Sequence, residues 1–555
     1  MDTIIKGHIV DPIRQEIYDG TLHIADGIIS RIEKTDGFSP EDSLPYIMPG
    51  FVDSHMHIES TLLLPENFAK LAVSHGTVAV ATDPHEITNV LGRDGLEFML
   101  ENASKVKFHF YFGIPSCVPS TCFETAGAVI TSDDVKELVQ RDDFYGLAEM
   151  MNYPGVLNGD PEVMAKIKYT QEAGKVVDGH APDLVGDGAR KYIAAGISTD
   201  HEVYSLEYAQ ERVEMGMKIQ IREGSAARNF ETLKLLLTIR EFKDKLMICT
   251  DDIYPDELEE GHIDLIASRA VDAGIPLWHI LNAACIVPVR HYSMDVGLLQ
   301  EGDSADFIVV SDIRKFKVEQ TWIRGEKVYD CGSVDIYKEG MAPMPVDGKF
   351  PNHFCAKPVL PDDIKVKATG TLMKTIIATE GSLYTKVLEV EPKVIDGLAV
   401  SDVDRDILKL VVYNRYSESK PSVAFISGFK LKSGAIASTI AHDSHNIIAV
   451  GTNDEDIVKA MNTLVESKGG LCIVNGSEMK TLALPVAGLM SPEDGHSVGE
   501  KHKCLKAMAK AQGCGFAAPF MTLAFMALPV IPELKLTDLG LFDSRRFCFT
   551  NLFLD

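Results

Sequence analysis

Two histidines separated by one residue, His55 and His57 in PGFVDSHMHIES, are the first feature with chemical potential. On a strand, residues i and i+2 point to the same face, so both imidazoles can reach one metal ion. Alone, the pair is a weak signal. Its weight comes from Glu149 in GLAEMMN, His180 in VDGHAP, His201 in STDHE and Asp251 in CTDD. Each stands at the end of an apolar, β-rich run. Four imidazoles, a glutamate and an aspartate meeting in one place give a nitrogen/oxygen site with enough ligands for two divalent ions. Imidazole ligation with a bridging carboxylate accepts manganese, iron or zinc. Taken singly, His180 or His201 could simply hydrogen-bond in a wall of the core. All six in one layer are hard to explain that way.

A scaffold must bring these run-ends together. Eight candidate strands can be counted: YIMPGFVDSHMHIE, GTVAVATDPHE, KFHFYFGIPSCVP, FYGLAEMMN, KVVDGHAP, GISTDHE, KIQIREGSA and LMICTDD. Amphipathic segments such as PENFAKLAVSH, with Phe68, Leu71 and Ala72 on one helical face, separate most of them. Eight βα units over residues 46–295 predict an α/β fold with a (β/α)8 TIM-like barrel, whose active site lies at the C-terminal ends of the strands. A doubly wound sheet is the alternative, and the regular repeat argues for the barrel. Residues 1–45 and 296–345 read as hairpin-rich pieces, each too short for its own core, and are expected to form one composite β-domain. Residues 346–555 read as a C-terminal α+β domain. It includes a helix capped by Asn453, with Asp454, Glu455 and Asp456 in its first turn and Gly469–Gly470 at its end.

Composition narrows the function classes. The 555 residues hold 54 Lys and Arg against 81 Asp and Glu, a net charge of −27. That balance argues against a nucleic-acid partner or an anionic membrane, because either needs a basic face. Ten scattered cysteines without a CxxC pair suit reduced thiols. The N-terminal MDTIIKGHIV lacks the features of a signal peptide. Ala511 to Pro532 is uncharged and long enough to span a bilayer, but Pro519, Pro529, Pro532, Gly513 and Gly515 argue for a buried segment instead. The expectation is a cytoplasmic protein.

The segments PGFVDSHMHIES, TDPHEITNVLG, GHAPDLVG, IREGSAARN and CTDDIYPDELEEGHID resemble the bacterial adenine deaminases of the amidohydrolase superfamily. The resemblance extends to GFKLKSGAIASTIAHDSHNIIAVGTNDED and PFMTLAFMALPVIPELKLTDLGLF. It implies that His55 and His57 hold a buried metal with Asp251, and that His180 and His201 hold a second. Many relatives bridge the two ions with a carboxylated lysine on the fourth strand. Glu149 stands there in this chain, and an unmodified carboxylate can bridge too. Relatives of this type are associated with manganese or ferrous iron. The implied reaction is hydrolytic deamination of adenine to hypoxanthine and ammonia in purine salvage, by a homodimer. Asp251 would take a proton from the attacking water and pass it to the leaving amine. Two alternatives remain: an amidohydrolase acting on another aminopurine or a cyclic amide, and a non-catalytic barrel that has lost its metals. The presence of all six ligand candidates argues against the second.

Other residues crowd the same end of the barrel. Glu223, after the seventh strand, is a candidate to protonate a ring nitrogen or contact the adenine edge; alternatively it pairs with Arg222 or Arg228. Asp83, His85 and Glu86 in TDPHE are candidates to bind substrate or to orient ligands. Strand alternation places Asp252 opposite to Asp251. His442-Asp443-Ser444-His445 resembles a nucleophilic triad only in composition, and is expected to form a loop over the barrel mouth or at a subunit contact. The methionines of MTLAFMAL read as core or interface. His75, His109, His262 and His279 read as structural.

Overall fold

Phe51–Met56 is buried at all six positions, as a strand covered on both faces requires. The computed structural model describes residues 3–35, 44–182 and 184–554. This strand, β1, is followed by β2 (Thr77–Thr82), β3 (His109–Ile114), β4 (Phe144–Met150), β5 (Val176–Gly179), β6 (Thr199–Asp200), β7 (Lys218–Arg222) and β8 (Leu246–Cys249). β1 to β5 pair in sequence order, as do β6 to β8, and all these pairings are parallel. The Ser198 N–H joins the two groups by donating to the Val177 carbonyl at 2.9 Å. The ring closes where Met56 bridges Asp251, with the Asp251 N–H on the His55 carbonyl at 3.0 Å. The fold is a (β/α)8 barrel. Its outer helices bury the stripe that periodicity marks: in Pro65–Ser74, Phe68 and Ala72 are buried and Leu71 is half-buried.

The run YIMPGFVDSHMHIE is divided, not one strand. Tyr46–Pro49 leaves the barrel and pairs in parallel with Thr3–Asp11 and antiparallel with Phe307–Val310. Gly50 makes the crossing, since a Cβ there would lie 2.3 Å from Val78 Cγ1. Tyr46–Pro49 is thus the seam of an eight-stranded sheet. On one side lie Thr3–Asp11, Glu16–Ala25 and Ile28–Lys34; on the other lie Phe307–Val310, Val318–Ile323, Glu326–Asp330 and Ser333–Val334.

Beyond residue 346 a nine-stranded sheet forms around Leu408–Tyr413, Ser422–Ser427 and Ile447–Gly451. The helix Asp454–Ser467 packs on it, and Asn453 Oδ1 caps it by accepting from the Asp456 N–H at 2.8 Å. That helix stops one residue before the glycines, at a left-handed Lys468. The uncharged stretch breaks at Pro519 into the short helix Pro519–Ala524 and a 3-10 turn, Phe525–Ala527. Met521 and Met526 are buried there. Among the described residues no helix is long and apolar enough to cross a membrane.

Candidate active site

β1 delivers His55 from its last turn of pleat and His57 just beyond it; β4 delivers Glu149, and the ends of β5, β6 and β8 deliver His180, His201 and Asp251. All six side chains are buried and meet at the C-terminal end of the barrel. Glu149 is the hub. Its Oε2 lies 3.0 Å from His180 Nδ1, 3.2 Å from His201 Nε2 and 3.9 Å from His55 Nε2, while its Oε1 lies 3.5 Å from His57 Nε2. Asp251 closes the other side, with Oδ1 at 3.0 Å from His57 Nε2 and 3.7 Å from His55 Nε2, and Oδ2 at 3.7 Å from His201 Nε2.

These separations test the site for a cation. Two donors each about 2.1 Å from one ion stand roughly 3–4 Å apart, farther than a charge-assisted hydrogen bond allows. Most of the histidine–carboxylate separations fall in that range. His55 Nε2 and His180 Nε2 are also buried without a hydrogen-bond partner, a costly state unless something else engages them. The donor set therefore fits divalent metal, and His55, His57 and Asp251, and separately His55, Glu149 and His201, form groups that could hold an ion.

Electrostatics points the same way. Burial alone would raise the Glu149 carboxyl, but His180 and His201 overcome it and hold it well below its ordinary value. Burial is likewise outweighed at Asp251, chiefly by Arg222 and His201. The His55 imidazole is pushed down to about 3 by burial and by its neighbour His201, so it is neutral and free to ligate. Burial opposes protonation of His201, yet Asp251 and Glu149 raise it to about 9. Both carboxylates are thus held in their charged form by neighbouring cationic groups, which suits metal ligation.

The TDPHE residues surround this core. The Asp83 carbonyl lies 2.9 Å from His57 Nδ1 and fixes that ring; its carboxylate lies 3.2 Å from His85 Nδ1. His85 Nδ1 is also 3.4 Å from Glu149 Oε1. Glu86 stands farther back, its Oε1 2.8 Å from Ser60 Oγ.

Two expectations are corrected. Glu223 does not face the site. Its carboxylate pairs with Arg269 Nη1 at 3.2 Å and approaches Arg228 Nε at 3.9 Å, beside a separate cavity. The inward position of β7 belongs to Arg222, whose guanidinium contacts Glu202 and Asp251 and lies 3.2 Å from Asp252 Oδ2. Asp252 does not point away either. Asp251 adopts φ 57, which breaks the alternation, and Asp252 lines the same cavity, accepting from Ser60 Oγ at 2.6 Å.

The roof of the cavity comes from the C-terminal region: Leu383, His442, Asp443, Phe525 and Leu528. His442 and Asp443 thus cover the barrel mouth. The four histidines read as structural bond within the framework. His75 meets Asp264, His109 meets Asp306, His262 meets Thr77 and Asp53, and His279 meets the Leu237 carbonyl.

Comparison with known proteins follows the same division. Residues 46–328 match the amidohydrolase family, and residues 382–548 match the adenine deaminase C-terminal domain. An adenine deaminase of Salinibacter ruber is 48% identical over 99% of both chains. The chain belongs to the adenine deaminase family. Another member, from Methanosarcina mazei, is 47% identical over 99% of each chain. Among solved structures, a beta-aspartyl dipeptidase from Fervidobacterium islandicum AW-1 covers 61% of this chain at 16% identity with a TM-score of 0.47, too remote to bear on the assignment. Membership in the amidohydrolase family, together with the buried His/Asp/Glu groups, makes this a divalent-metal site.

Proposed function

We propose that the chain hydrolyses adenine to hypoxanthine and ammonia, using two divalent ions held by His55, His57, Glu149, His180, His201 and Asp251. The observation that carries this reading is that both matched regions wall one cavity. The ligand candidates lie within 46–328, and every roof residue lies within 382–548. His55, His57 and Asp251 would hold one ion, His180 and His201 the other, with Glu149 between them. Manganese or ferrous iron suits this mixture of imidazole and carboxylate, and zinc is also compatible. Bound there, divalent cations make water nucleophilic at neutral pH.

The chain's own residues do the rest. Asp251, kept ionised by Arg222 and His201, accepts the proton of the attacking water and returns it to the amine leaving C6. Asp83 holds the His57 ring, and the apolar groups Met151, Leu383, Phe525 and Leu528 shield the reacting base from solvent. The ten cysteines are free thiols, which suits a cytoplasmic purine-salvage enzyme.

Incubating manganese-loaded protein with adenine, while following ultraviolet absorbance and ammonia, tests the reading. One ammonia is expected per hypoxanthine formed. Ring opening of a cyclic amide, which releases no ammonia, with no turnover of adenine would instead favour the broader amidohydrolase alternative.

A further inference from the structure

The mechanism above gives no task to Asp443, although this carboxylate sits in the roof of the site. It is 2% exposed and lines the cavity that contains Glu149 and Asp251. Its Oδ1 lies 3.6 Å from both His85 Nε2 and His442 Nδ1, and His85 in turn abuts Glu149. Its Oδ2 is buried without a hydrogen-bond partner. The loop that carries it is fastened down. Ser444 Oγ donates to Glu124 Oε2 at 2.7 Å, Asn446 Nδ2 to the Thr125 carbonyl at 2.9 Å, and the His442 ring stacks on Phe525 at 4.3 Å. A buried carboxylate oxygen held rigidly without a donor is strongly unfavourable unless a ligand brings one.

Resting on the adenine deaminase reading, the chemistry of the ligand then narrows the choice. Neutral adenine has two kinds of N–H: the exocyclic amine, and one hydrogen on the five-membered ring. The amine must face the ion pair's side of the cavity, because it leaves from C6. The ring N–H is the donor left for the roof. We infer that Asp443 accepts the imidazole-ring N–H of adenine and so selects the free base against purines substituted on that ring. A nucleoside, or a purine alkylated at N7 or N9, has no such hydrogen and would leave Asp443 Oδ2 unpaired. Rejection on that ground is on the order of 10²-fold or more.

Steady-state kinetics on manganese-loaded protein with adenine, 7-methyladenine and 9-methyladenine tests this, with metal content measured on each sample. Wild-type kcat/KM should favour adenine over both methylated bases by at least ~10²-fold. Asp443→Ala should keep two ions per chain, raise KM for adenine more than it lowers kcat, and shrink that preference at least ~10-fold. A wild-type protein that handles the three bases alike would overturn the inference without any variant. An Asp443→Ala protein that loses kcat equally on all three, with the preference unchanged, would also overturn it; Asp443 would then only orient His85. A wild-type protein inert towards adenine and active on another substrate would remove the reading on which the inference rests.

Discussion

Asp251→Asn, fully loaded with metal, is expected to lose adenine turnover by ~10²–10⁴-fold while keeping its fold, the range typical of a lost general acid/base. The argument is local. Asp251 contacts three of the four ligand histidines and Arg222, so its carboxylate is where charge and proton must both be managed. An amide of the same shape still fills the space but cannot take the proton. Asp252→Asn should behave differently, though not as mildly as strand alternation implies. Asp252 holds Ser60 and Arg222, and loss of a charge-assisted hydrogen bond in a buried network is worth about 1.5–3 kcal/mol, or roughly 10–100-fold in rate. Circular dichroism and metal analysis on both variants separate a catalytic loss from a folding or loading defect. Near-normal turnover by Asp251→Asn beside an inactive Asp252→Asn would transfer the proton role to Asp252.

Glu149→Ala is expected to empty at least one metal position and to reduce activity on the order of 10³-fold, the several kcal/mol that metal assistance supplies. Glu149 lies within 3.0–3.9 Å of His55, His57, His180 and His201. Among the described residues no other side chain in the site reaches all four. Its removal leaves the four imidazoles facing Asp251 and Glu202, which both already pair with Arg222, so less negative charge remains to hold two dications side by side. Elemental analysis and turnover, measured on the same preparation, read both effects. A variant that keeps two ions and normal rate would show that the bridge lies elsewhere.

The clustering of these six side chains is legible because each of them obeys a local rule. His55 and His57 follow strand periodicity, and the other four sit where a barrel presents its strand ends. Local rules fail where one backbone angle or one register overrides them. β7 reads KIQIRE, with Ile219 and Ile221 packed outward against helices. Gln220 therefore faces inward, donating to the Ser54 carbonyl at 2.8 Å, and Arg222 two residues on shares that face. Carrying the alternation one residue further would have chosen Arg222 over Glu223. Asp252 turns inward because Asp251 is left-handed, a conformation Asp tolerates better than most residues but strand periodicity does not mark. Asp443 and His442 lie about 190 residues along the chain from Asp251; only the packing of the C-terminal region over the barrel brings them together. Tyr46–Pro49 joins a different sheet from Phe51–Met56 because Gly50 permits a crossing that composition alone does not locate.

The central claim is that six side chains build a site for two metal ions that work together. Titrating metal-free protein with manganese, while recording ammonia release from adenine at each addition, tests it most directly. Activity should rise until two equivalents per chain are bound and then stay level, with elemental analysis giving close to two ions. Full activity reached at one equivalent, with no second ion taken up, would contradict the account.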